Sequence, residues 1–329
     1  MTHAASPYEA LYRDLARAFG DRAERDAPMS ERINFRVGGP ADILVAPTDV
    51  EGLQTLFRLI DGSGVPIFIL ASGTNLVVRD GGIRGVVIDM TRGFDELVFS
   101  PGPDGATHLR VGAARQVRDV VEACAGRGLA GMEWGAGIPG TIGGGIKGNA
   151  GTRDGDFAGT LVEVAMVHPG GEHRVYARDE LRFEYRGLAM DRPFIVVRAL
   201  LRLHDGDRAA IRKAIDDMIA WRNQRQPYEM PSAGSIFKNP EHAPAGRLID
   251  QAGLKGTRVG NAMVSDVHTN FIVNLGGARA ADIIELIGIV KARVLEVHGV
   301  ELKTEVILVG EDPAMDDRAP ATEVAHVER

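Results

Sequence analysis

Cysteine is nearly absent from this 329-residue chain, which contains only Cys124. A single cysteine excludes an internal disulfide and a cysteine-based metal cluster, and it is typical of proteins from a reducing compartment. Aromatic residues make up only 5% of the chain, and no stretch approaches the roughly 20 apolar residues of a membrane span. The N-terminus lacks the apolar core of a secretion signal. We therefore expect a cytoplasmic protein without a membrane segment or a metal site, and with Cys124 buried in a helix.

Positive charge is also in deficit. The chain has 38 Lys and Arg against 45 Asp and Glu, which gives a formal net charge of -7. This balance provides no basic face for nucleic acid, although local arginines and lysines can still meet an anionic ligand. The hydrophobic fraction of 44% is sufficient for buried hydrophobic cores, and the length suits two or three domains. Nothing in the sequence indicates an obligate protein partner.

Hydrophobic spacing predicts how the chain is divided. Helical spacing predicts an opening helix from Pro7 to Arg25, and the segment from Asn34 to Pro47 predicts two strands around a glycine turn. Strands dominate up to His204, where a helix-rich segment begins. We predict an N-terminal helix in residues 1–31, a first domain in 32–205 with subdomains about 32–90 and 91–205, a second domain in 206–311, and a disordered tail in 312–329.

Two loops of the sequence are rich in glycine or in side-chain hydroxyl groups. One is WGAGIPGTIGGGIKGNAG, from Trp134 to Gly151, and the other is SGTN, from Ser72 to Asn75. Glycine admits positive φ and close backbone approach, so such loops can direct N–H groups at a phosphate. Neither loop has P-loop or Rossmann spacing, and a run of tight turns between strands is the alternative explanation. The presence of both loops favours a phosphate-bearing cofactor.

Five motifs in order resemble the UDP-N-acetylenolpyruvoylglucosamine reductase family of bacterial peptidoglycan synthesis. They are SGTNLVVRDGGIRGVVIDM, GIPGTIGGGIKGNAG, FEYRG, SAGSIFKNP and TEVILVG, and the resemblance runs from about Arg32 to Gly310. It implies an α+β fold, with an FAD-binding domain of the vanillyl-alcohol oxidase (PCMH) type in two subdomains and a C-terminal α/β substrate domain. In this family NADPH reduces FAD, and the reduced flavin passes hydride to the enolpyruvyl group, which gives UDP-N-acetylmuramate. The short spacing from Arg186 to Ser235 resembles the loopless subtype, type II.

The resemblance also assigns cofactor residues. It implies that FAD is bound non-covalently, because Pro40 stands where related oxidases often have a flavin-tethering histidine. Arg36 is expected near the adenine half, and the others along the pyrophosphate, ribityl chain and flavin. The implied residues are Ser72, Gly73, Thr74, Asn75, Gly137, Ile138, Pro139, Gly140, Thr141, Gly143, Gly144 and Asn149.

Three residues match the family's catalytic positions: Ser235 as proton donor, Arg186 at the reacting centre, and Glu305 as the catalytic acid. Their types suit the chemistry, because hydride transfer to the enol-ether methylene leaves negative charge that spreads into the attached carboxylate. An arginine fork can bind that carboxylate, and a strongly basic carbanion can take a proton even from a serine hydroxyl. The implied substrate contacts are Tyr185, Arg225, Lys238, Asn239 and His268. Arg225 stands where family members often carry lysine.

Two other functions stay open from the sequence. The same FAD domain can serve an oxidase or dehydrogenase of another sugar or alcohol, and reactivity toward oxygen distinguishes that enzyme from the reductase. A nucleotide-binding protein whose chemistry has lapsed is the non-enzymatic alternative. The presence of all three catalytic residue types disfavours it.

Overall fold

The computed structural model describes residues 8–313, which form three packed units. The first unit consists of α1 (Glu9–Phe19), β1 (Ala23–Pro28), β2 (Pro40–Val45), α2 (Val50–Ile60), β3 (Ile67–Leu70), β4 (Leu76–Val78) and β5 (Ile83–Asp89). Its main sheet has the order β1-β2-β5-β3. The two pairs made by β5 are parallel, and β1 is antiparallel to β2. The predicted disordered tail, residues 312–329, lies outside the described residues apart from its first two positions.

Two sequence predictions in the first unit are wrong. The opening helix ends at Phe19 instead of Arg25, because Gly20 takes a φ of 62° and the chain turns into β1. The segment from Asn34 to Gly39 is irregular instead of a strand, with Arg36 at a φ of 56°. Left-handed backbone is uncommon for a residue other than glycine, so the β-forming residues beside Arg36 could not reveal it.

The second unit is a largely antiparallel sheet with helices against it. It consists of β6 (Leu97–Pro101), β7 (Thr107–Gly112), α3 (Val117–Arg127), β8 (Leu129–Ala130), α4 (Ile142–Lys147), β9 (Gly151–Thr152), β10 (Gly155–Asp156), α5 (Phe157–Thr160), β11 (Leu161–Val167), β12 (His173–Ala177), β13 (Arg182–Glu184), β14 (Gly187–Ala189), β15 (Ile195–Asp205) and α6 (Arg208–Asn223). The sheet order is β12-β11-β15-β7-β6, and β8 also pairs with β15. Cys124 is buried in α3, as the sequence predicts.

Helix α6 belongs to the core of the second unit. Its buried residues Ile211 and Ile215 pack in the same apolar cluster as Val120 and Leu203. A boundary at residue 206 would separate α6 from that core. We therefore propose that the division between the two domains follows α6, in the linker that begins at Gln224.

The third unit shares its core with the first. It consists of α7 (Ala245–Gln251), β16 (Arg258–Val259), β17 (Ala262–Val264), β18 (Ile272–Asn274), α8 (Ala280–His298) and β19 (Ile307–Val309). One apolar cluster joins Phe35 and Val78 of the first unit to Phe237, Ile283 and Leu302 of the third. Burial of these side chains stabilises both units together, at roughly 1.5–3 kcal/mol for each large apolar side chain.

Backbone pairing and a helix cap reinforce the contact between the first and third units. Strand β19 runs parallel to β4, with Ile307 opposite Leu76. The carboxylate of Asp80 accepts hydrogen bonds from the N–H groups of Ala280 and Ala281, at 2.8 and 2.9 Å. These are the first N–H groups of α8, which have no partner within the helix. Among residues 8–313 no helix is long and apolar enough to cross a membrane.

Candidate active site

The two glycine-rich or hydroxyl-rich loops meet. A Cβ atom built on Gly140 would lie 3.2 Å from both Ser72 Oγ and Thr74 Oγ1, and one built on Gly144 would lie 3.2 Å from Ala71 Cβ. Thr141 begins α4 and accepts a hydrogen bond from the N–H of Gly144 through its hydroxyl. The loops therefore form one wall, in which a Cβ-free backbone faces the serine and threonine hydroxyls.

Backbone conformation explains why glycine occupies this wall. Gly73, Gly137 and Gly140 have φ values of 64°, 71° and 113°. A Cβ on Gly73 would approach the carbonyl oxygen of Arg32 to 2.6 Å, which is too close for any other residue. Positive φ alternating with ordinary backbone can turn successive N–H groups toward an anion. The wall therefore suits the pyrophosphate of a dinucleotide.

Arg222 lies behind this wall. A Cβ on Gly137 would lie 2.6 Å from Arg222 Cδ, and the buried Arg222 Nε has no hydrogen-bond partner among the described residues. The hydroxyl of Tyr228 donates to the carbonyl oxygen of Gly137 at 3.3 Å. The end of α6 and the linker after it thus contact the same glycine from two sides.

The three predicted catalytic residues lie in neighbouring segments. Arg186 is in the two-residue turn of the β13–β14 hairpin, at a φ of 62°, and its Nε lies 2.9 Å from Glu305 Oε1. Its Nη1 donates to the carbonyl oxygen of Gly151 at 3.4 Å. The N–H of Glu305 donates to the carbonyl oxygen of Ile236, which follows Ser235, at 2.8 Å. The hairpin, the serine segment and the glutamate segment therefore converge at the end of the glycine stretch.

A cavity of about 420 Å³ begins at Ser235 and extends into the third unit. Its charged and polar lining residues are Asn239, Arg247, Asp250, Lys255, Asp266, His268, Thr269 and Asn270. Asn239 Oδ1 accepts from the N–H of Ala245, and His268 Nδ1 accepts from the N–H of Asn270. Burial lowers the pKa of His268. The cavity therefore has a polar lining next to the serine, in which two cations accompany two carboxylates.

Comparisons with known proteins match both halves of the chain. A family model described as FAD binding domain matches residues 41–176, and one described as UDP-N-acetylenolpyruvoylglucosamine reductase, C-terminal domain, matches residues 226–309. The reductase of Syntrophus aciditrophicus is 41% identical over 287 residues, which cover 87% of this chain and 92% of that protein. The reductase of Bacillus pumilus is 35% identical over 92% of this chain and 99% of that protein.

A solved structure agrees with these sequence matches. The crystal structure of the Thermus caldophilus reductase is 37% identical and has a TM-score of 0.75, with 88% of this chain and 99% of that chain covered. The chain belongs to the UDP-N-acetylenolpyruvoylglucosamine reductase family. Membership in this reductase family confirms the resemblance, the fold class with its FAD-binding domain, and FAD as the cofactor.

The remaining predicted cofactor residues lie in the glycine stretch, on the segment beside the SGTN loop, and next to the Arg186 hairpin. Gly143 packs against Ala113, while Ile138 and Pro139 lie within the glycine stretch. Arg36 is exposed on the segment that contacts the SGTN loop, where the N–H of Asn34 donates to the carbonyl oxygen of Gly73. Asn149 bonds instead to protein: its Nδ2 donates to Asp156 and to the carbonyl oxygen of Glu184. Its amide therefore supports the Arg186 hairpin.

The predicted substrate residues are spread over the cavity, the surroundings of Glu305 and Arg186, and the linker after α6. Asn239 and His268 line the cavity, and Lys238 lowers the pKa of Glu305 through its charge. Tyr185 is 59% exposed, with its ring 5.3 Å from the Arg186 guanidinium. Arg225 lies on the ring of Trp221 at 5.2 Å. Their roles stay predictions.

Sequence reasoning missed three cations that the structure places at these sites: Arg222, Arg247 and Lys255. Arg222 and Arg247 lie in helices without a motif of their own, so nothing in their spacing marks them. Lys255 follows α7 in AGLKG, where a basic residue near the end of a helix is common. Only their convergence on the loop wall or the cavity distinguishes them from surface cations.

The pH dependence of stability should report on Glu305. Burial raises the pKa of Glu305, and the charges of Arg186 and Lys238 only partly oppose it. Between the ordinary carboxyl pKa and this raised value, the folded state binds more protons than the unfolded state. The free energy of unfolding therefore falls as pH rises through the folded pKa. Glu305→Gln should remove that fall, measured by urea unfolding at about pH 5 and about pH 8.

Glu301→Gln is the matched control for this pH prediction, because Glu301 is an exposed carboxylate on the same segment. This variant should keep the pH profile of the unmodified protein. Superimposable profiles for Glu305→Gln and the unmodified protein would show that the buried carboxylate does not titrate as described.

Proposed function

We propose that this protein reduces UDP-N-acetylenolpyruvoylglucosamine to UDP-N-acetylmuramate with NADPH. The observation that carries the proposal is the convergence of Arg186, Glu305 and the Ser235 segment beside the loops that suit FAD. Held by these loops, FAD would supply hydride transfer from NADPH to the enolpyruvyl methylene. In the remaining steps Arg186 holds the substrate carboxylate, and Ser235 and Glu305 move protons.

Arg186 binds the substrate carboxylate in this proposal. Its Nε lies 2.9 Å from Glu305 Oε1 without a hydrogen bond, and its Nη1 donates to the carbonyl oxygen of Gly151, so the guanidinium is held near Glu305 while N–H groups remain for a ligand. Negative charge grows on the carboxylate side of the substrate as the methylene carbon gains hydride. A fixed cation stabilises that charge more strongly than it stabilises the neutral double bond.

Ser235 supplies the proton that completes the reduction. The Ser235 hydroxyl gives its proton to the carbon that bears the carboxylate, so the C=C double bond becomes a single bond. The resulting alkoxide needs a proton in return. Glu305 is suited to provide it, because its raised pKa keeps a larger fraction of the carboxyl group protonated near neutral pH.

The cavity beside Ser235 accommodates the UDP part of the substrate. A diphosphate needs cationic partners, and Arg247 and Lys255 both line the cavity. Asn239 and His268 line the same cavity and can contact the nucleotide-sugar. The carboxylates Asp250 and Asp266 keep the lining mixed in charge, so the sugar nucleotide must be oriented with its diphosphate toward the two cations.

On the cofactor side, Ser72, Thr74 and the backbone of Gly137–Thr141 hold the pyrophosphate of FAD. Arg222 adds a cation behind Gly137, and its buried, unpartnered Nε gains a polar neighbour when the anion binds. Position 40 is a proline and not a histidine that could tether a flavin, so FAD is held without a covalent bond.

The purified protein should be yellow and should lose its flavin absorbance on addition of NADPH without oxygen. The colour should return when UDP-N-acetylenolpyruvoylglucosamine is added, because the substrate is the electron acceptor. Stopped-flow absorbance follows both half-reactions. UDP-N-acetylglucosamine is the control, since it has the UDP-sugar but no double bond to reduce. Rapid recolouring by oxygen with none by the substrate would favour an oxidase on the same fold.

A further inference from the structure

We propose that Asn75 is a positioning residue that transmits cofactor binding in the SGTN loop to the backbone of Glu305. This proposal deepens the proposed function, because the role of Glu305 rests on it. Asn75 Nδ2 donates to the carbonyl oxygen of Glu305 at 3.1 Å. The carbonyl oxygen of Asn75 accepts from the N–H of Ile307 at 3.1 Å. One residue of the cofactor loop therefore holds the peptide groups on both sides of Val306.

The Asn75 amide is directed away from the rest of its own loop. Ser72 and Thr74 present their hydroxyls to Gly140 on the facing loop, whereas the donor group of Asn75 reaches 230 positions along the sequence. A carboxamide nitrogen that donates to a backbone carbonyl has only one further hydrogen. Asn75 is thus distinguished from its neighbours, which face the wall assigned to the pyrophosphate.

The same peptide of Glu305 also connects to the serine segment. The N–H groups of Glu305 and Val306 both donate to the carbonyl oxygen of Ile236, at 2.8 and 3.3 Å. Lys238 and Lys303 continue this pairing, with the Lys238 N–H donating to the Lys303 carbonyl at 2.9 Å. The glutamate segment is therefore held between the Ser235 segment on one side and Asn75 on the other.

This arrangement couples ligand binding at the SGTN loop to the position of the Glu305 peptide. A ligand that orders the SGTN loop also fixes the position of the Asn75 amide, and this restrains the Glu305 peptide next to Ser235. The Glu305 peptide is then held more firmly when the cofactor is present. Loss of the Asn75 amide should uncouple the two events while leaving the hydroxyls of Ser72 and Thr74 to bind FAD.

Hydrogen exchange measures the coupling without relying on turnover. FAD should slow exchange of the backbone amides of residues 305–307 in the unmodified protein. In Asn75→Ala this FAD-dependent protection should fall by about tenfold, the usual effect of one hydrogen bond on an opening equilibrium. Flavin titration gives the FAD concentration that saturates each variant, so that protection is compared at full FAD occupancy.

Thr74→Val is the matched control, because its hydroxyl faces Gly140 and not Glu305. It should weaken FAD binding but keep the protection of residues 305–307 at saturating FAD. Asn75→Ser, which retains a smaller donor in the same loop, repeats the measurement if Asn75→Ala fails to fold. Full protection of residues 305–307 in the folded Asn75 variants at saturating FAD would overturn the proposal.

Half-reaction kinetics give the second test. Asn75→Ala should slow reoxidation by substrate about tenfold relative to reduction of FAD by NADPH. In a Glu305→Gln background the same change should cost little more, because Asn75 acts through residue 305. Additive losses would contradict the proposal. If substrate fails to reoxidise the unmodified enzyme, the proposed function fails, while the exchange experiment still decides the role of Asn75.

Discussion

Ser235→Ala should slow reoxidation of the reduced enzyme by its substrate about 10²–10⁴-fold, the usual contribution of a positioned proton donor. Reduction by NADPH should proceed at its normal rate, because only the second half-reaction delivers a proton to carbon. The structure supports this separation, since Ser235 lines the cavity proposed for the sugar nucleotide and lies outside the loop wall. Anaerobic stopped-flow absorbance resolves the two rates on one sample.

Ser232→Ala is the matched control, because Ser232 is a partly buried serine three positions earlier on the same linker. It should leave both half-reactions unchanged. Equal losses in the two half-reactions of Ser235→Ala would indicate a disturbed flavin site and would refute the proton-donor role.

Arg186→Lys should lower kcat/KM for the substrate about 10²–10³-fold, although the charge is retained. Lysine has a single ammonium group, so it cannot face Glu305, reach Gly151 and grip a carboxylate in one plane. Steady-state kinetics with saturating NADPH measure the loss. Arg182→Lys in the same hairpin is the control, because Arg182 is exposed and pairs with Glu184 at the surface; it should change kcat/KM little.

Arg186→Ala should add a pH signature to the kinetic loss. The Arg186 charge lowers the pKa of Glu305, so its removal should raise that pKa further above the ordinary value. The pH at which the glutamate ionises in the reoxidation profile should therefore move upward. An unchanged profile together with a large loss of rate would mean that Arg186 acts on the substrate alone.

The sequence predicted the elements with strong periodicity and the loops with distinctive composition. Strand β15 closes the strand-rich part of the chain at Asp205, close to His204, where the spacing of apolar residues places its end. The meeting of the SGTN loop with Gly140 also agrees with the expectation of a shared anion site. These features depend on the spacing of apolar residues and on the composition of short loops, and both can be read from one sequence.

Long-range contacts explain what the sequence could not predict. Helix α6 follows β15 closely, and the sequence predicts that a new domain begins there. Its apolar face instead packs against the second unit. Arg247 and Lys255 join Ser235 only through the packing of α7, and the Asn75 amide reaches Glu305 across most of the chain. Periodicity reports which face of an element is buried, but not which neighbour buries it.

The pairing of β4 with β19 affects how the protein is made as well as how it is held together. Strand β4 leaves the ribosome early, but its partner at Ile307–Val309 is among the last described segments to be synthesised. Contacts of such high sequence separation form slowly, and during synthesis they cannot form before the partner exists. The first unit therefore completes its fold only after β19 has been synthesised. A chain truncated before Glu305 lacks both that residue, for which we propose a catalytic role, and the strand that pairs with β4.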